Sequence, residues 1–92
     1  MLPRYFFHLY NDELLRDQTG ECFADVDLAR EAAVRGISEL IAEQIVAGRP
    51  VDLSHRIEIE DSGGKLVCTV RYGELFTGSA GAENSIPNQP NR

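Results

Sequence analysis

Between Asp25 and Pro50 the sequence reads as one amphipathic helix bounded at both ends, and the rest of the chain has to be arranged around it. Asp25 is a capping residue, and acidic Asp27 follows in the first turn, where it faces the positive end of the helix dipole. At about 100° per residue, Ala29, Ala33, Ile37, Leu40 and Ile41 fall in one arc. Glu31, Arg35, Ser38, Glu39 and Ala42 lie opposite. Gly48 can take the left-handed conformation that closes a last turn, and Pro50 forbids continuation, so the helix is expected over Asp25–Gly48. A helix with one apolar stripe needs one apolar partner, and the flanking segments supply β-type patterns.

Arg4 to Tyr10 is dense in aromatic and large apolar residues, a composition that favours a strand. Alternation puts Tyr5, Phe7 and Leu9 on one face and Phe6, His8 and Tyr10 on the other. Asn11-Asp12 turns the chain, Glu13 to Arg16 returns as a short second strand, and Asp17-Gln18-Thr19-Gly20 turns it again. After the helix, Arg56 to Glu60 alternates charged with β-branched residues, burying Ile57 and Ile59. Asp61 to Gly64 then links it to a strand from Lys65 to Tyr72, making a hairpin in which Cys68 shares a face with Leu66, Val70 and Tyr72. The expected fold is α+β: a small antiparallel sheet with one helix packed on a face, in the order β-β-α-β-β. Residues 1–77 are expected to form this single domain. Residues 78–92, with Ile86 as their one large apolar side chain, are expected to be a disordered tail.

At 92 residues one small domain is the ceiling. The formal charge of −6 makes phosphate backbones and anionic membrane surfaces repel the chain, so neither nucleic acid nor membrane is an expected partner. No apolar run approaches a membrane span, and the N-terminal residues lack the pattern of an export signal. Cys22 and Cys68 are far apart with no Cys-x-x-Cys pair, which suits a reducing cytoplasm.

The opening Pro3-Arg4-Tyr5-Phe6-Phe7-His8 is similar to that of a family of short uncharacterised bacterial proteins known as a domain of unknown function. The resemblance runs over roughly residues 2 to 73 and takes in the Asp17–Gly20 turn, the Asp25 cap before Ala29, Ala32 and Ala33, and the Asp61–Gly64 bend. It implies the fold and no assigned activity. The element order also resembles, distantly, the antitoxin half of small toxin–antitoxin pairs, which implies a regulatory binding protein as a third reading.

His8, His55, Cys22 and Cys68 are the soft metal ligands, but they lie on separate elements without the close paired spacing that organises a zinc site. Neither a metal nor another cofactor is expected. No Ser, Cys or carboxylate is tied to His8 by a recognisable motif, and a small hydrolase or metal-dependent enzyme around His8 or His55 is the alternative reading. The leading expectation is a protein-binding or structural module without catalysis that pairs with itself. If the helix covers Tyr5, Phe7 and Leu9, then Phe6, His8 and Tyr10 face away from it, with Arg56, Glu58, Glu60 and Arg71 as a charged rim, and a second copy would cover them. On this reading His8 sits at the contact, against aromatics and without a carboxylate.

Overall fold

A computed structural model describes residues 1–77, and the expected tail lies outside the described residues. The helix, α1 (Val26–Val46), forms where the periodicity places it. Asp25 is the N-cap: its backbone is extended and its Oδ1 accepts from the Leu28 N–H at 2.9 Å. At the other end the Gly48 N–H donates to the Ile45 carbonyl, with Gly48 at φ +72°. Asp25 is thus the N-cap and Ala47 the C-cap, with left-handed Gly48 just beyond it, and the buried stripe is Ala29, Ala33, Ile37 and Ile41. Leu40, at the margin of the arc, is half-buried.

The sheet is wholly antiparallel and has five strands: β1 (Arg4–Tyr10), β2 (Leu14–Leu15), β3 (Glu21–Cys22), β4 (Arg56–Asp61) and β5 (Leu66–Arg71). The path runs β2-β1-β4-β5, with β3 paired to the other end of β1 on the same side as β2. A short α2 (Glu74–Thr77) follows β5. The α+β fold and its order are as expected, with β3 and α2 added. A two-residue strand is shorter than any alternation can announce, so β3 is defined only by its partner Arg4–Tyr5.

Tyr5, Ile57, Ile59, Val70 and Tyr72 meet the helix stripe in one core, with Phe7, Leu9, Phe23 and Val26 packed against it. Ile37, Ile59 and Val70 are fully buried. Alanines at two of the four stripe positions let the helix lie close to the sheet. One expectation fails on β5. Ile59 pairs with Cys68 but Glu60 pairs with Leu66, so Val67 is an extra residue and the strand's parity reverses there. Cys68 keeps the core face, whereas Leu66 joins Glu60 on the opposite face and is half exposed.

The turn between β2 and β3 packs tightly on β1. Gly20 stands at φ +72°, and a Cβ there would lie 2.8 Å from the Tyr5 carbonyl oxygen, so glycine is required on both counts. This close approach positions Asp17 at the site described next.

Candidate functional site

The face of the sheet away from α1 is laid out by the strand register. Phe6, Glu60 and Leu66 form one row, His8, Glu58 and Thr69 a second, and Tyr10, Arg56 and Arg71 a third. All six expected face residues, Phe6, His8, Tyr10, Arg56, Glu58 and Arg71, are therefore brought together on one surface.

Their environments differ from the expected aromatic patch. His8 is buried at 4% exposure and holds two hydrogen bonds. The Asp17 N–H donates to its Nδ1 at 3.1 Å, so the neutral ring carries its proton on Nε2, which reaches Glu60 Oε1 at 3.2 Å. The expectation that His8 lacks a carboxylate is thereby overturned: Glu60, distant in sequence, is placed diagonally across the β1·β4 pair. His8 is also covered within its own chain, where the expected face had it open to a partner. Glu60 was expected on this face but not as a partner of His8, and Asp17 is a residue of the site that sequence reasoning missed. Its carboxylate accepts from the N–H groups of Phe7, Thr19 and Gly20 at 3.0 to 3.1 Å. Partial burial pushes this carboxyl up, but the amides of Gly20, Phe7 and Thr19, with nearby His8, pull it further down, below the usual 3.8. The available signal was the Asp-x-x-Gly turn, which marks an Asp that bonds its own loop amides but not the strand beneath it.

Further along the face, the Arg56 guanidinium lies 4.1 Å from the centre of the Tyr10 ring and its Nε donates to Glu58 Oε2 at 2.8 Å. Phe6 and Tyr10 are half-buried and Arg71 is exposed. The surface is thus an aromatic floor partly roofed by paired charges, more polar than alternation alone implies.

His55 lies on the opposite side of the sheet, its ring edge-on to core Tyr72 with centroids 5.4 Å apart. It lines a depression of about 480 Å³ with Asp12, Gln44, Arg49, Pro50, Val51 and Asp52. Its Nε2 faces Asp52 Oδ2 at 3.4 Å and Asp12 Oδ1 at 3.7 Å, while its Nδ1 is buried without a partner among the described residues. The Ser54 hydroxyl donates to Asp52 at 2.6 Å rather than to the ring, and with the Ser54 amide it holds the Asp52 carboxyl below 3.8. A carboxylate beside an imidazole is half of a hydrolytic constellation; a hydroxyl or thiol on the ring is the missing half.

The soft ligands do not converge. Cys22 is exposed on β3, and Cys68 lies under the helix, where burial raises its thiol above 9.0. Among the described residues no group of three or more His, Cys, Asp or Glu side chains is placed to hold a metal ion. None of the helices among them is long and apolar enough to cross a membrane.

One helix on one face of a small antiparallel sheet, with an aromatic and charged surface on the other, defines a small α+β domain with its features on the uncovered side of the sheet. The profile of a domain of unknown function, DUF6894, matches residues 4–73, well over half of the chain, and the protein belongs to that family. No curated protein and no solved structure matches the chain.

Proposed function

We propose that this chain is a non-catalytic protein-binding module that works by self-association, its partner a second copy joined through the part of the sheet that the helix leaves open. The observation that carries this reading is coverage. α1 is the one long helix among the described residues and packs on a single face, so Phe6, Tyr10 and Leu66 remain at the surface of the other. A domain of this size gains much of its missing burial from a second copy. The charge of −6 keeps nucleic acid and anionic membranes from being the partner, and two unpaired cysteines suit the reducing cytoplasm.

Sedimentation of the full chain from about 1 to about 500 µM tests this, the expected result being conversion from monomer to dimer within that range. A chain that stays monomeric throughout overturns it. A second reading, a small hydrolase at His55, is favoured by the Asp12–His55–Asp52 cluster and weakened by the orientation of Ser54 away from the ring. Turnover of a small ester or phosphoester that His55→Ala abolishes would establish it instead.

A further inference from the structure

Between β2 and β3, residues 16–20 make no ladder pair with β1 and instead cover part of its outer face. A Cβ on Gly20 would lie 2.9 Å from Phe6 Cε2, so the backbone of the turn rests on that ring. Beside it His8 is buried under the Asp17 amide. Arg4, Phe7 and His8 tie this cover to β1. Arg4 donates to the Thr19 carbonyl at 3.0 Å and to the Gly20 carbonyl at 3.4 Å. The Asp17 carboxylate accepts from the Phe7 N–H and the Asp17 N–H donates to His8 Nδ1, both at 3.1 Å. The two nitrogens of His8 respond differently to a proton. Nε2 carries its hydrogen toward Glu60 in either charge state. Nδ1 accepts from Asp17 only through its lone pair, and that lone pair is where a proton from water adds. Two N–H groups would then face one another with no acceptor between them. The added charge itself is well placed: Glu60 on β4 and the Asp17 carboxylate on the turn lie near the ring, while Glu58, directly across on β4, is engaged with Arg56. What opposes protonation is the lost hydrogen bond and the burial of the ring, and lifting the turn relieves both.

We propose that His8 is a proton-sensing residue: a proton on Nδ1 lifts the Asp17 amide off the ring and opens His8 to water, the turn pivoting on the Asp17 carboxylate. The carboxylate does not let go at the same point. Its bonds to Phe7, Thr19 and Gly20 need the ionised form, which these amides hold to below 3.8, and imidazoles as a class titrate well above carboxylates. Acid therefore opens the cover in two steps, the amide first and the carboxylate second. The outer face has a closed form while His8 is neutral and an opened form once it is charged. The device works within one chain and does not rest on self-association.

Nitrogen NMR of the full chain tests this, the His8 ring being followed from about pH 8 to about pH 3 together with the exchange protection of the backbone amides. At the alkaline end the ring is expected as the Nε2–H tautomer. Protection of the Asp17 amide is expected to fall by roughly tenfold or more as the ring titrates, while the Phe7 and Gly20 amides keep theirs until the Asp17 carboxylate titrates. An Asp17 amide that stays protected through the His8 titration overturns the proposal, as does a ring that stays neutral over the whole range. Phe7 and Gly20 amides that open together with Asp17 also overturn it, since the turn would then be detaching in one step. A fall that changes with protein concentration would belong to association and overturns it too. His8→Gln removes the titrating ring and keeps an oxygen that can accept from the same amide at any pH, so the first step is expected to vanish; a first step that persists overturns the proposal. Should His8→Gln fail to fold by circular dichroism, the wild-type midpoints decide: ring and Asp17 amide midpoints that coincide support the proposal, and midpoints about one pH unit or more apart overturn it.

Discussion

The Asp17 carboxylate accepts from three backbone amides, of Phe7, Thr19 and Gly20, while its own amide donates to His8. One residue therefore ties the turn before β3 to β1 through its carboxylate and sets the tautomer of a buried histidine through its backbone amide. Because its folded-state pKa lies below the unfolded value, Asp17 contributes stability that is fully present above about pH 4 and is lost as the pH falls through the folded value. Asp17→Asn keeps the shape and removes the charge. It is expected to lower the melting temperature at pH 7 and to make the loss of stability below about pH 4 shallower, which melts between about pH 7 and 2.5 would show. An unchanged acid limb would mean that other carboxylates carry it. The Asp-x-x-Gly turn was legible in the sequence; that its Asp reaches a strand ten residues upstream was not, since no local pattern encodes that distance.

Helix α1 shows a different division. Its cap, its stripe and its stop were legible because each depends on residues within a turn or two of one another. Gly36 is the exception, a glycine in the helix interior that does not have positive φ and whose Cβ would meet nothing within 4 Å. Neither backbone strain nor crowding within the chain calls for it. Gly36→Ala is therefore expected to stabilise the protein by about 0.5 to 1 kcal/mol, read as a higher urea midpoint at unchanged slope. A loss of stability would reveal packing at that position that the fold does not show. In β5 the local pattern misled: alternation put Leu66 beside Cys68, and the unpaired Val67 turned it over. Bulges depend on what the partner strand demands, so β5 alone gave no warning of one.

The helix and the sheet share one core, and Ile37 and Ile59 fill it from the two sides at zero exposure. Ile37→Ala and Ile59→Ala are each expected to cost about 2 to 5 kcal/mol, a large part of the stability of a domain this small. Denaturant titration of each variant is the measurement. Losses below about half a kcal/mol would contradict a single shared core. Sheet order also belongs here: β1 at the centre, its far side shared by β2 and β3, and β5 left as the long edge.

The sequence by itself determined what repeats at short range: one helix with a single buried stripe, strands that alternate, turns at Asp17–Gly20 and Asp61–Gly64, and a parity that collects Phe6, His8, Tyr10, Arg56, Glu58 and Arg71 on one face. These follow from the 3.6 and 2.0 periodicities of the backbone and from residues that favour caps and turns. Only the tertiary structure decided that His8 lies beneath the Asp17 turn and beside Glu60, and that Arg56 covers Tyr10. Each of these depends on register between strands distant in the chain. Register is set by which pairing buries the whole core at once, a property that no single segment carries.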